Sequence, residues 1–331
     1  MREVAALAGV SLKTVSRVVN RETGVSDELI ARVERAADQL DYRPNLTASN
    51  LRRADQRTST IGLLVEDVAN EFFAAIHRGV EEVARQRGVA VIAASLDRDP
   101  AMERDLVSAF ASRRVDGLIL APTAPEQGYL TNELRSGWPM VCIDRQPRGV
   151  DIDAVVTDNR SAARHGVLHL LEQGHRRIAF IGGQSTLSTE QDRYAGFVDA
   201  MASVGAQIRP EWVHHGVQDA EGALGVVRGL LASEERPTAI FSGQNLITMG
   251  TVRALREAGL QHRVALVGFD DFGLADLLDP AITVVAQDAR AIGRQAADLL
   301  FRRMANSHEP TGTHVVASWL ITRGSGEIPP G

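Results

Sequence analysis

The stretch VAALAGVSLKTVSRVVN, residues 4–20, places two short segments of helical apolar spacing on either side of Gly9. Glycine suits the left-handed position that ends a helix, and Ser11 is a residue type that caps the start of the next helix. In the second segment the valines fall on one side and the polar residues on the other. The pattern predicts two helices joined by a tight turn, with the polar side of the second helix exposed.

A third helix is predicted after this pair. Ser26 precedes DELIARVERAADQL, residues 27–40, in which apolar residues recur at helical spacing and two acidic residues fall in the first turn, where the helix dipole favours them. Pro44 ends the segment. We therefore expect a three-helix head over residues 1–44, followed by a hinge helix and linker over residues 45–58.

The pattern changes from residue 59. Short apolar runs such as TIGLLV alternate with helical patterns to the end of the chain, which is typical of α/β folds with doubly wound parallel sheets. The strands are too many for one sheet of ordinary size, so we predict two lobes. The first spans about 59–158 with a return near 280–290, and the second spans about 159–280 and 291–331.

Composition and charge narrow the possible classes of protein. The 331 residues are 44% hydrophobic and 24% charged, no apolar run reaches the length of a membrane helix, and the only cysteine is Cys142. We therefore expect a cytoplasmic protein without disulfides or membrane contact. Residues 1–53 carry a net charge of +2 and the rest of the chain −8, which is typical of a small polyanion-binding module attached to a soluble domain.

Two helices joined by a tight turn can form a DNA-binding helix-turn-helix or an ordinary helical hairpin. The polar side of the second helix favours the first interpretation. Short side chains allow close approach to a groove, and Lys13 and Arg17 can reach bases and phosphates.

The opening stretch resembles the LacI/GalR family of transcriptional repressors, whose helix-turn-helix reads V-A-x-x-A-G-V-S-x-x-T-V-S-R-V-x-N. The resemblance continues in family order through VSDELIARVERAADQLDYRPN, IGLLVEDVANEFF, RRVDGLILAP, GHRRIAFIGG, RPTAIF, VGFDD and ITRGS. It implies a reading head, a hinge and a body similar to periplasmic sugar-binding proteins. It also implies three partners, which are a palindromic operator DNA, a sugar or nucleoside-like effector and a second copy of the chain, since two heads read two half-sites.

The resemblance assigns DNA contacts residue by residue. Leu12 and Lys13 match the two positions that face base edges in the family. Leu51 matches the leucine wedged between the central base pairs, whereas Ser49 stands where the family usually has arginine. The expected DNA-binding residues are Ser11, Leu12, Lys13, Thr14, Ser16, Arg17, Asn20, Asn45, Leu51 and Arg52.

The effector site is expected between the lobes, because ligands of open parallel sheets bind beyond the carboxyl ends of the strands. Arginine, carboxylate and amide side chains together suit the hydroxyls of a sugar or nucleoside. By resemblance, the expected effector-binding residues are Asn70, Phe73, Asp144, Arg193, Gln244, Asn245, Asp270, Asp271 and Gln287. The chain departs from the family's usual pattern at Gln244–Asn245, at Gln218, where several members have a stacking aromatic residue, and at Glu71, where proline is common.

Enzyme and metal-site interpretations fit the sequence less well. IGGQST, residues 181–186, lacks the glycine spacing of nucleotide-binding loops. His165 and His169 lie one helical turn apart, but Gly166 stands where the zincin motif requires glutamate. We expect no catalytic residue, no cofactor and no metal. Two alternatives remain, which are a solute-binding protein without DNA function and a sugar-processing enzyme of the same sheet class.

Overall fold

A computed structural model describes residues 1–19, 24–42, 58–306 and 309–331. The chain divides into two units, a head within Met1–Ser59 and a body over Thr60–Gly331. Each unit buries an apolar core of its own. None of the helices in the described ranges combines the length and apolar character needed to span a bilayer.

The head contains helices α1 (Arg2–Ala8), α2 (Leu12–Val19) and α3 (Asp27–Gln39). Gly9 ends α1 with a φ of 61°, in the left-handed conformation that its position in the sequence predicts. The Ser11 hydroxyl accepts a hydrogen bond from the Thr14 N–H at 3.1 Å and so caps α2. Val15 of α2 and Val33 of α3 are buried in the small core that joins the three helices.

The first lobe of the body is built on a six-stranded parallel sheet of order β11-β5-β4-β3-β1-β2. Its strands are β1 (Thr60–Val65), β2 (Ala90–Ser95), β3 (Leu118–Leu120), β4 (Met140–Ile143), β5 (Asp153–Thr157) and β11 (Thr313–Val316). Its helices are α4 (Glu71–Gln86), α5 (Pro100–Ser112), α6 (Thr131–Arg135) and α11 (Ala289–Met304). Strand β1, which lies between β3 and β2, is almost entirely buried, as its continuous apolar run requires.

The second lobe repeats this plan with the strand order β12-β10-β9-β8-β6-β7, in which only the edge strand β12 is antiparallel to its neighbour. Its strands are β6 (Ile178–Ile181), β7 (Val213–His214), β8 (Ala239–Ser242), β9 (Ala265–Phe269), β10 (Thr283–Gln287) and β12 (Ser318–Ile321). Its helices are α7 (Asn159–Glu172), α8 (Ser188–Ser203), α9 (Ala220–Ala232) and α10 (Asn245–Glu257). The predicted α/β class with two doubly wound sheets is confirmed.

The position of the return to the first lobe was predicted wrongly. The return was expected near residues 280–290, but β10 (Thr283–Gln287) belongs to the second lobe, α11 and β11 belong to the first, and the third crossing falls between β11 and β12. The reason is the contact between α11 and α4. A Cβ at Gly293 would lie 2.1 Å from the Ile76 carbonyl oxygen, and one at Gly79 would lie 2.2 Å from that of Arg290. The two glycines therefore let these helices pack backbone to backbone.

Candidate functional site

The head presents the polar side of α2 to solvent. Leu12 is 47% exposed and Lys13 is also exposed, while Val15 and Val18 face the core. Thr14, Ser16 and Arg17 are partly buried. The other four predicted DNA-binding residues, Asn20, Asn45, Leu51 and Arg52, lie outside the described residues. The exposed face is therefore narrow and begins at the N-terminal turn of α2, as a helix that enters a groove requires.

An arginine that the sequence reasoning missed holds the turn between α1 and α2. Arg32 of α3 donates two hydrogen bonds to the Ala8 carbonyl, at 2.6 and 3.0 Å, and a third to the Gly9 carbonyl at 3.0 Å. These carbonyls end α1 and lack partners within the helix. Arg32 thereby fixes the angle at which α2 leaves the turn. Its role was hidden because an arginine at the sixth position of a surface helix looks like an ordinary solvated side chain.

In the body, the carboxyl ends of both sheets meet at a cavity that opens to solvent, at the edge where open parallel sheets bind ligands. Seven of the nine predicted effector-binding residues line it, which are Asn70, Phe73, Asp144, Arg193, Gln244, Asn245 and Asp270. The prediction did not include several other residues of the wall, among them Glu66, Arg98, Arg145, Gln184 and Glu190. All five follow strands or begin helices at the same edge of the sheets, which was the available signal.

Two buried aspartates occupy matching positions in the two lobes. Asp144 follows β4 and Asp270 follows β9, and each donates its backbone N–H to the neighbouring strand at 2.9 Å, Asp144 to the Val155 carbonyl and Asp270 to that of Val285. Their φ angles are 66° and 68°, in the left-handed region that aspartate tolerates but most residues avoid. Such conformations persist where the surroundings fix them, commonly at binding sites. The fold therefore holds two carboxylates rigidly at one cavity.

Burial raises the pKa of both carboxyls. For Asp144 the desolvation outweighs the guanidinium groups of Arg145 and Arg193, and for Asp270 it outweighs Arg193 and the hydrogen bond from Gln287. The charges of Asp144 and Glu66 also raise the pKa of Asp270, and that of Glu66 raises the pKa of Asp144. Hydroxyl or N–H donors from a bound molecule would satisfy these oxygens and compensate for the lost hydration.

Arg193 connects the cavity to the framework of the second lobe. Its Nε donates to Asn159 Oδ1 at 2.8 Å and its Nη1 to the Gly243 carbonyl at 2.6 Å. Nη1 also lies 3.8 Å from Asp270 Oδ2, and the guanidinium stacks 3.8 Å above the centre of the Phe269 ring. The buried guanidinium is therefore held in one position, with its charge next to the Asp270 carboxylate.

The first-lobe wall contains a carboxylate held between two arginines. Arg98 Nε and Arg145 Nη2 donate to the two oxygens of Glu66, at 2.6 and 2.5 Å. Burial alone would raise the pKa of Glu66, but the two guanidinium charges outweigh it and bring that pKa below its usual value. Glu66 thus stays charged and serves mainly to orient both arginines.

Three polar contacts join the two lobes across the cavity. The amides of Asn70 and Asn245 donate to each other's Oδ1, both at 3.1 Å. Arg98 Nη1 donates to the Gln218 carbonyl at 2.9 Å, and the Gly273 N–H donates to Glu71 at 2.6 Å. The lobes are therefore closed on one another, through contacts that a change in lobe angle would break.

Two predicted effector-binding residues lie away from the cavity wall. Asp271 pairs with Arg323 through both oxygens, at 2.7 and 2.6 Å, because successive residues after a strand point to opposite sides. Gln287 stands behind Asp270, to which its amide donates at 2.5 Å. Asp271 is thus bound to Arg323 and does not line the cavity, and Gln287 acts on the cavity through Asp270. Within the described ranges, no three His, Cys, Asp or Glu side chains are grouped as a metal site would require.

Comparison with known proteins agrees with both parts of this arrangement. Residues 1–45 match the family model of bacterial regulatory proteins of the lacI family, and residues 58–324 match periplasmic binding proteins and the sugar binding domain of the LacI family. The chain is 31% identical to the HTH-type transcriptional repressor PurR of Photobacterium profundum, over 98% of both proteins. It is 30% identical to the repressor CytR of Escherichia coli K12, over 98% of this chain and 95% of CytR.

A solved structure extends the comparison to three dimensions. The complex of the transcriptional regulator CelR with cellobiose superimposes with a TM-score of 0.73, at 31% identity and over 98% of both chains. The relatives named here are regulators of transcription rather than enzymes. This chain therefore belongs to the LacI family of bacterial regulatory proteins, and it is a ligand-controlled DNA-binding repressor.

Proposed function

We propose that the effector is a small polyhydroxylated molecule, a sugar or a nucleoside, bound in the cavity between the lobes. The observation that carries this proposal is the pair of fixed, buried carboxylates, Asp144 and Asp270, beside the Arg193 guanidinium. Such a set accepts from and donates to hydroxyls at defined positions. The cellobiose bound to CelR is in keeping with this class.

The repressor acts as a homodimer joined through its bodies. Leu274 and Leu277 are 67% and 75% exposed, and Val68 and Ile92 are also exposed. Two hydrogen bonds join the segments that carry these residues. Val68 donates its N–H to Ser95 at the end of β2, and Gly273, next to Leu274, donates its N–H to Glu71, three residues after Val68. An apolar face of this kind on a folded chain is typical of a protein–protein interface, and a second copy places two heads on one palindrome.

The effector controls DNA binding through the angle between the lobes. A ligand held by Asp144 of one lobe and by Arg193 and Asp270 of the other favours one lobe arrangement over the alternatives. Such unequal binding is what linkage requires for control. In a dimer, the change alters the spacing of the two chains near residue 58, and with it the pairing of the hinges at residues 45–58. Operator affinity then changes.

Operator titration with and without effector tests this mechanism. The purified chain is titrated onto its operator at fixed salt, since phosphate contacts make affinity salt-dependent, in the presence of individual sugars and nucleosides. We expect at least one compound to change operator affinity by about tenfold, a coupling of roughly 1.4 kcal/mol. Unchanged affinity across the panel would contradict effector control.

Lys13→Ala is expected to alter which base the repressor prefers at one operator position, in addition to weakening binding. Lys13 is exposed on the first turn of α2, where a side chain that enters the major groove contacts base edges. A lost base contact costs about 1–3 kcal/mol at one position. Affinities are measured for single-base operator variants. Arg35→Ala, which removes an exposed cation from α3, is the control, and an equal loss on every sequence would make Lys13 a phosphate contact instead.

A further inference from the structure

The second-lobe wall of the cavity contains a carboxylate that the protein leaves without a full set of partners. Glu190 lines the cavity and is only 5% exposed. Its Oε1 is buried and has no hydrogen-bond partner within the described ranges. The ring nitrogen His215 Nδ1 lies 3.7 Å from this oxygen, beyond hydrogen-bond distance. Glu190 therefore differs from Glu66, which two arginines bind.

Glycines on two strand ends fix the position of this carboxylate. Gly182 follows β6 and Gly243 follows β8. A Cβ at Gly182 would lie 1.7 Å from Glu190 Oε1, and a Cβ at Gly243 would lie 3.4 Å from Oε2. Any larger residue at position 182 would displace the side chain. The carboxylate lies in a space that the absence of a side chain at Gly182 provides, so its place beside the cavity is built into the fold.

Local groups compensate for this buried charge only in part. Glu190 is the third residue of α8, so the positive end of the helix dipole stabilises it. Arg193, one turn further on, directs its Nε to Asn159 and its Nη1 to Gly243. A buried carboxylate oxygen without a hydrogen bond costs free energy that a bound donor would recover.

A second unpartnered acceptor lines the same cavity. Gln184 Oε1 is buried and has no hydrogen-bond partner within the described ranges. One short segment of the wall, residues 184–190, thus carries two side chains that each have an unpartnered hydrogen-bond acceptor. A hydroxyl can donate only one hydrogen bond, whereas an ammonium has three N–H donors and an amino group two. Two acceptors without donors of their own therefore favour a bound molecule that carries a nitrogen with several protons.

Building on the proposed hydroxyl-binding site, we infer that the effector carries an ammonium or exocyclic amino group that binds Glu190 and Gln184. The hydroxyls of the effector bind Asp144, Asp270 and Arg193. The amino group binds the part of the second-lobe wall that residues 184–190 form. Glu190 then makes the repressor bind a compound that carries this amino group more tightly than a similar compound that lacks it.

The first test measures the ligand-free protein. Glu190→Gln keeps the shape and removes the uncompensated charge, so the melting temperature is expected to rise by roughly 2 °C. Glu66→Gln is the matched control, because the same change there leaves the buried Arg145 and the partly buried Arg98 without their carboxylate and is expected to lower the melting temperature. If Glu190→Gln lowers it as well, Glu190 is a structural anchor and the inference is wrong.

The second test measures binding by calorimetry with two matched pairs, glucosamine with glucose and cytidine with uridine. We expect the amino member of one pair to bind at least tenfold more tightly than its partner, and Glu190→Gln to remove that preference. The pair that shows it identifies an amino sugar or an amino-substituted base as the source of the group. Binding of glucose or uridine without an amino preference overturns the inference and leaves the proposed function intact. If none of the four compounds binds, both fail.

Discussion

Replacing Arg193 by alanine is expected to weaken effector binding by at least 100-fold and to lower the free energy of unfolding by about 3 kcal/mol. The guanidinium is buried, donates to Asn159 and Gly243, and lies beside Asp270. Its removal takes away the cation that lies 3.8 Å from the buried Asp270 carboxylate. The loss therefore combines a missing effector contact with an uncompensated charge.

Arg193→Lys separates these two effects. Lysine keeps the positive charge but cannot reproduce the planar fork that bonds two acceptors in fixed directions. We expect it to recover part of the stability, measured by chemical denaturation, and little of the effector affinity, measured by calorimetry. If Arg193→Ala binds effector as the unchanged protein does, the cavity between the lobes is not the effector site.

Leu277→Asp is expected to separate the dimer and to reduce operator affinity about 1,000-fold. Leu277 is 75% exposed on the proposed dimer face, where a buried charge would be unpaired in the assembly. In a dimer, binding of the first head holds the second near its half-site at a millimolar effective concentration. A monomer loses this advantage, so most of the affinity disappears although each head remains folded.

Val315→Asp is the matched control for that variant. Val315 is 60% exposed on β11, at the opposite edge of the first-lobe sheet from β2. It should leave both the dimer and operator binding unchanged. Sedimentation equilibrium reports the assembly and a gel shift reports operator affinity. A Leu277→Asp protein that stays dimeric would show that the copies meet through another face.

The sequence predicted those parts of the fold that depend on local pattern. Gly9 and Ser11 define the turn of the head, and continuous apolar runs define the buried strands. The third crossing between the lobes was placed near residue 290 instead of between β11 and β12, because its position depends on the contact of two distant helices. The glycines that allow this contact, Gly79 and Gly293, are visible in the sequence, but their partners are not.

The same limit applies to the cavity. Residues directly after strands were placed correctly near it, since the carboxyl ends of parallel strands converge. The sequence could not show that Glu66 would be bound by Arg98 and Arg145, because pairing depends on loops distant along the chain. Both Asp270 and Asp271 follow β9 directly, so their position after the strand did not show that Asp270 lines the cavity and that Asp271 pairs with Arg323 away from it.

The central claim is that two heads of one dimer read a symmetric DNA sequence under the control of a molecule bound between the lobes. The most direct test selects the duplexes that the full chain binds from a random pool. The recovery of the selected duplexes is then compared in the presence and absence of effector. The account predicts enrichment of a palindrome with half-sites about one helical turn apart, loss of binding when either half is scrambled, and a change in recovery with effector. Enrichment of no symmetric sequence, or equal binding to a single half-site, would contradict it.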